Sequence, residues 1–311
     1  EYMIIILLGN IITHLYFGMN AVLRAASKPR QAMYTTIFTV VLNSILDPLF
    51  IYTFDMGIRG AAIATILSQT VALIWQIRLF SDKGELLHLK RGIYRLDNII
   101  VKNILGIGIS PFAMNATACL VSIFVNQRLL EYGGDLAVGA FGIANRVAFI
   151  FIMINFGVNQ GMQPIAGYNY GAQNYDRLMR VLKLAMIAGT CITTSGFLVA
   201  EFIPHICVRL FTSDSELTEL SVNGLRIMMA AMPIVGYQMI VTNFFQSIGK
   251  AKISIFLSLS RQLLFLVPLI GVMPLFFGVN GVWVAMPISD SFSAIFALVM
   301  MVRYMRVFKK R

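Results

Sequence analysis

Met33-Tyr34-Thr35-Thr36-Ile37-Phe38-Thr39-Val40-Val41-Leu42-Asn43-Ser44-Ile45-Leu46-Asp47-Pro48-Leu49-Phe50-Ile51-Tyr52-Thr53 carries a single charged side chain, Asp47. A bilayer-crossing helix needs about 20 mostly apolar residues, and this stretch meets that length. Eight other segments have the same character: 1–23, 60–79, 104–127, 136–160, 183–203, 221–245, 253–273 and 281–303. Hydrocarbon offers no water to backbone N–H and C=O groups, so each segment is expected to satisfy its own by forming a helix. The sequence therefore reads as an all-α, polytopic membrane bundle of nine transmembrane helices.

The composition agrees. The chain is 58% hydrophobic and 13% charged, against about 25% charged residues in soluble domains. Lipid has to solvate most of this apolar surface. A net charge of +11 would suit a nucleic-acid binder, but the basic residues sit in short clusters between apolar runs. Nucleic-acid readers gather them on a polar face instead. Cys119, Cys191 and Cys207 form no CxxC pair, and His14, His88 and His205 lack metal-ligand spacing, which excludes a zinc site or disulfide frame. With no nucleophile triad, P-loop or carboxylate pair, neither an enzyme nor a cofactor is expected.

Charge alternates between successive loops. One set holds Arg24, Lys28, Arg30, Arg78, Lys83, Lys90, Arg91, Arg95, Lys102, Arg177, Arg180, Lys183, Lys250, Lys252, Arg303, Arg306, Lys309, Lys310 and Arg311. The opposite set holds only Arg59, Arg128 and Arg209. The positive-inside rule puts the rich set, and the C-terminus, in the cytoplasm. Residue 1 then falls outside. The expected home is the bacterial inner, or plasma, membrane, with the bilayer as partner and the chain as a monomer. The polar stretch 81–103 divides residues 1–80 from 104–311 and reads as a cytoplasmic linker, with Leu86, Leu87, Leu89, Ile93, Tyr94 and Leu96 able to lie in the interface.

The two parts echo each other. Arg24-Ala25-Ala26-Ser27-Lys28-Pro29-Arg30 parallels Gln246-Ser247-Ile248-Gly249-Lys250-Ala251-Lys252 at an offset of 222. Met56-Gly57-Ile58-Arg59-Gly60-Ala61-Ala62-Ile63-Ala64 parallels Phe277-Gly278-Val279-Asn280-Gly281-Val282-Trp283-Val284-Ala285 at 221. Matching sidedness makes this a parallel repeat, a device common in transporters. The arithmetic leaves room for three helices ahead of residue 1. It implies twelve in two lobes of six, with 1–80 the second half of the first lobe.

Charged groups inside a membrane are functional hypotheses. Asp47 and Asn43 are four apart and share a helix face. Thr65 lies as far beyond the turn at Met56 as Asp47 lies before it, so antiparallel helices bring both to one depth. Carboxylate, amide and hydroxyl oxygens suit Na⁺, and the carboxylate alone can take H⁺. The alternative is an Asp that caps or pairs ahead of Pro48. The repeat sets Leu264 and Pro268 opposite Asn43 and Asp47, so the cation site is expected in the first lobe only. Arg261 and Asp290 could pair across neighbouring helices, as structure or as part of a cavity, and Arg146 has the same standing. Abundant Met and Phe would suit flat cationic ligands, or plain packing. Gly106-Ile107-Gly108 is a small-residue packing signal.

Several strings resemble the multidrug and toxic compound extrusion (MATE) family: Leu23-Arg24-Ala25 with Lys28, Leu42 to Pro48, Gly57 to Ala62, and above all Gln160-Gly161-Met162-Gln163-Pro164-Ile165-Ala166-Gly167-Tyr168-Asn169-Tyr170-Gly171-Ala172. The resemblance covers the last nine of the family's twelve helices. It implies a two-lobed antiporter exporting drugs or other small, often cationic, organic molecules against Na⁺ or H⁺. The DinF-like branch is similar in the first lobe, and its coupling residues fall on Asn43, Asp47, Thr65 and Asn20. Helical rise separates Asn20 from Asp47 by about 16 Å, and Asn10 fits the depth better. The branch's first-helix Asp has no counterpart here. The acidic residues of the other bacterial branch are missing from 104–127 and 221–245. Rival readings are a flippase of lipid-linked saccharides, which would want Arg146 and Arg261 in one cavity, and a non-transporting truncated remnant.

Overall fold

The computed structural model describes residues 2–81, 88 and 97–308. Its helices are α1 (Tyr2–Ala25), α2 (Pro29–Pro48), α3 (Gly57–Phe80), α4 (Asn98–Gly171), α5 (Tyr175–Phe202), α6 (Pro204–Arg209), α7 (Ser215–Met229), α8 (Met232–Ser247), α9 (Ala251–Leu259), α10 (Val267–Phe277) and α11 (Val279–Phe308). Wider π turns, Leu49–Thr53 and Ser260–Leu266, continue α2 and join α9 to α10.

As one rod, the 74 residues of α4 would stretch about 110 Å, several bilayers deep. Gly134, at φ 65° and ψ −166°, breaks it into two arms, 98–133 and 135–171. The α7–α8 pair is apolar enough to cross only when taken together, and it bends by 51°, as a broken span or a re-entrant loop would, with Pro233 inside the first turn of α8. Seven helices are long and apolar enough to cross a membrane. With α4 counted as two and the bent pair as one, nine spans lie among the described residues, in the order the sequence predicts.

The chain forms two units, Glu1–Asp97 and Asn98–Arg311. Residues 98–103, which the sequence reading assigns to the linker, are already helical and open α4. The interfacial segment expected at Leu86, Leu87, Leu89, Ile93, Tyr94 and Leu96 lies outside the described residues.

The first unit packs α1 and α2 on α3. The buried positions of α3 are mostly small: Gly60, Ala62, Ala64, Ser68 and Ala72. That choice follows from the solvent. Lipid tails give helices no hydrophobic reason to associate, so small side chains that allow close backbone approach do the work. Outward faces stay apolar, as at Leu8 and Ile11. The second unit has two cores. One gathers Leu129, Leu225 and Met229 around Trp283, and the other Leu178, Leu182, Phe244 and Phe245.

The repeat survives as geometry. At the end of α1, Ser27 N donates to Arg24 O at 3.2 Å and Lys28 N to Leu23 O at 3.0 Å. At the end of α8, Gly249 N donates to Gln246 O at 3.1 Å and Lys250 N to Phe245 O at 2.8 Å. Both ends are the same left-handed cap, with φ 61° at Ser27 and 74° at Gly249, at the 222-residue offset. The opposite turns match too: Gly57 and Gly278 hold φ 54° and 56°. Each repeat also places its π turn in the helix between these two glycine-type turns.

Candidate cation site

Pro29 at the first helical position fixes the start of α2. An uninterrupted α register then carries Asn43 and Asp47 onto one face, one turn apart. Pro48, which lacks an N–H, and the π turn that follows end that register immediately after Asp47. Such π turns recur at functional sites.

Asn43 is the hub. Its Nδ2 donates to Asp47 Oδ1 at 3.0 Å and to Thr65 Oγ1 of α3 at 3.4 Å. Thr65 sends its own hydroxyl proton to Ala61 O at 2.9 Å, so its oxygen faces Asn43 as an acceptor. All three residues are half-buried. Among the described residues Asp47 has no basic partner, and Asn43 Oδ1 accepts no hydrogen bond. Half a turn of the amide about χ2 would replace the nitrogen between two oxygens by a third oxygen. The same three side chains would then offer only hard oxygen donors, the set a small monovalent cation takes. No cluster of three or more His, Cys, Asp or Glu exists among the described residues, so a soft-metal site has no support there.

The arrangement brings Asn43, Asp47 and Thr65 together and leaves Asn20 apart. Buried Asn20 donates to Ala32 O at 2.9 Å and to Thr35 and Thr36 hydroxyls at 3.2 Å, and it accepts from Arg24. Gln76 joins it through Thr35 at 3.2 Å. Thr36, the nearest of these partners to the site, lies eleven residues before Asp47, about 16 Å along α2, close to the depth gap counted from the loops.

The sequence reading missed a nearer neighbour. Thr13 of α1 meets Gln69 of α3 at 2.6 Å, and Gln69 is one turn beyond Thr65 on the same face. The four-residue spacing of Ala61, Thr65 and Gln69 was the available signal. It also missed the amide ladder Asn155, Asn159 and Gln163 on α4, which meets α8 through Gln163 and Asn243 at 3.3 Å.

In the second unit, Arg261 Nε and Asp290 Oδ1 are 2.7 Å apart, so these two do pair. Arg146 is exposed on α4 and makes no ion pair or side-chain hydrogen bond to a described residue.

The MatE family model matches residues 110–270, just over half of the chain. The chain belongs to the MATE family. Multidrug export protein MepA of Staphylococcus aureus (strain N315) is 26% identical over 284 residues, covering 91% of this chain and 62% of that protein. Its Staphylococcus haemolyticus counterpart is also 26% identical, covering 96% and 65%. The chain thus spans under two thirds of the length of these curated relatives. An outward-facing structure of a MATE transporter covers the whole chain and 70% of its own at a TM-score of 0.94 and 24% identity. A MOP-superfamily transporter from Pyrococcus furiosus gives 0.90 at 24%, with the same coverage. At such identity these structures establish the fold. MATE membership, with the apolar spans found among the described residues, makes this a multi-pass membrane chain.

Proposed function

We propose that this chain belongs to a cation-coupled antiporter that exports drugs or other small, often cationic, organic molecules across a bacterial plasma membrane. The name of MepA, a multidrug export protein, supports the cargo class. The single observation that carries the coupling is Asp47: a carboxylate in an apolar span, half-buried, held by the Asn43 amide, which also reaches the Thr65 hydroxyl, and without a basic partner among the described residues. Such a charge is costly in lipid unless something neutralises it. Na⁺ bound by Asp47, Asn43 and Thr65 does so, as does a proton on Asp47.

A cation drives a cycle only through unequal affinity for two states. With Asn43 turned toward Asp47 and Thr65 as donor, the site holds its own oxygens. With the amide reversed, it presents them to an ion. Asn20, tied to the start of α2, is left out of this exchange and anchors α1 to α2. The basic-loop count supports a cytoplasmic C-terminus, and nothing in the reading requires a second copy.

The test is ethidium exchange in proteoliposomes containing this chain, driven by an imposed Na⁺ gradient or, separately, by a pH gradient. Asp47→Asn is expected to abolish the driven component under both. Wild-type exchange in Asp47→Asn would remove Asp47 from the mechanism.

A further inference from the structure

Arg261 lies ten residues into the span Ala251–Phe277, about 15 Å from one end and about 24 Å from the other. Even so, 34% of its side chain is exposed. An arginine at that depth facing hydrocarbon would be very expensive, so its exposed part faces water or a ligand. Its Nε approaches Asp290 Oδ1 to 2.7 Å. Both terminal Nη groups make no hydrogen bond to a described residue. The backbone is fixed as well. Arg261 sits in the π turn Ser260–Leu266, and its carbonyl accepts from Ser289 Oγ at 2.7 Å, next to Asp290 on α11. Asp290 thus holds the guanidinium from behind and Ser289 holds the backbone that carries it, which leaves the fork open.

We propose that Arg261 is a carboxylate receptor for zwitterionic solutes. The planar fork matches a carboxylate with two parallel hydrogen bonds, a geometry a lysine cannot offer. Charge selects among ligands. The Arg261–Asp290 pair is neutral, so a simple anion would leave the site with a net negative charge in a low-dielectric setting. A zwitterion brings its own ammonium and leaves the sum at zero. This inference rests on the export reading only in taking the ligand to be a transported solute.

The test uses this chain in lipid nanodiscs with three probes: norfloxacin, which carries a carboxylate and an ammonium, benzoate, an anion alone, and ethidium, a cation alone. Wild type is expected to bind norfloxacin saturably and benzoate at least about tenfold more weakly. Arg261→Lys should weaken norfloxacin about tenfold while ethidium affinity stays within about twofold. Asp290→Asn unmasks the guanidinium charge and should strengthen benzoate. Absent norfloxacin binding in wild type, unchanged norfloxacin affinity in Arg261→Lys, or parallel loss of norfloxacin and ethidium would each overturn the proposal. If Arg261→Lys fails to fold, unchanged benzoate binding in Asp290→Asn overturns it. Asp47→Asn separates the two readings, since it should stop cation-driven exchange and leave norfloxacin affinity intact.

Discussion

Thr65 hands its hydroxyl proton to the carbonyl of Ala61, 2.9 Å away, and this fixes which way its oxygen can serve. The lone pairs face Asn43 and, through it, Asp47. Thr65→Ser keeps the donor and both lone pairs, so cation affinity should stay within about threefold. Thr65→Val keeps the shape and removes a ligand. Losing one polar contact of roughly 1–1.5 kcal/mol should weaken the cation about tenfold. Titration of ethidium exchange with Na⁺ reads both. Equal affinities for the valine and serine variants would take Thr65 out of the site.

Binding to the folded chain alone also has to stabilise it. A ligand at 100 times its Kd adds about 2.7 kcal/mol. For Na⁺ at Asp47 this should appear as a denaturation midpoint that climbs with NaCl and not with choline chloride at the same ionic strength. Asp47→Asn should flatten that dependence. A wild-type midpoint indifferent to Na⁺, with exchange still driven by a pH gradient, would assign the site to the proton.

The spans and the first-unit site were legible in the sequence for one physical reason. Hydrocarbon punishes unpaired backbone and unpaired charge, so helices announce themselves by length and Asp47 by its exceptional polarity. Depth counted from loops brought Thr65 to within one turn of its expected level, where it meets Asn43 and not Asp47, and it kept Asn20 apart. Two kinds of feature were less legible. A π turn changes helical register without changing composition, so neither Leu49–Thr53 nor Ser260–Leu266 left a mark beyond proximity to proline. Neutral amides such as Gln69, Asn155 and Asn159 cost less in lipid than a carboxylate and so did not stand out. The Arg261–Asp290 pairing was foreseeable as a possibility, whereas the π turn that carries Arg261 was not.

Gly60 and Gly281 mark the closest helix approaches after the glycine turns. A Cβ on Gly60 would lie 2.7 Å from the backbone of Phe50, and one on Gly281 would lie 2.5 Å from the carbonyl carbon of Met273. Backbone cannot swing away as a side chain can. Gly60→Ala and Gly281→Ala should each destabilise by about 1–3 kcal/mol. Gly18→Ala, with nothing within 4 Å of the new methyl, should match wild type or gain up to about 1 kcal/mol from helix propensity. Midpoints in detergent compare the three, and an unaffected Gly281→Ala would show that α10 and α11 separate at no cost.

The two left-handed caps predict opposite responses at equivalent positions. Ser27 and Gly249 close the same hydrogen-bonded turn at φ 61° and 74°, but only one of them is glycine. A side chain in this conformation costs roughly 1 kcal/mol, because its Cβ crowds the following carbonyl. Ser27→Gly removes that crowding. Against it stands the extra freedom glycine has in the unfolded chain, worth about 0.4–1 kcal/mol, so the net change should be a small gain or close to zero. Gly249→Ser adds the crowding to a turn that lacks it, and Gly249→Ala does the same without a hydroxyl. Reduced freedom in the unfolded chain now offsets part of that crowding, so both should lower stability by up to about 0.6 kcal/mol. No methyl clash confuses the comparison, since nothing lies within 4 Å of a Cβ placed at Gly249. Chemical denaturation of the four proteins therefore reads backbone strain and unfolded-chain freedom without a packing clash. A loss on Ser27→Gly matching the loss on Gly249→Ala would mean that Ser27 holds its cap by its side chain, and the two turns would then share a shape without sharing an energy.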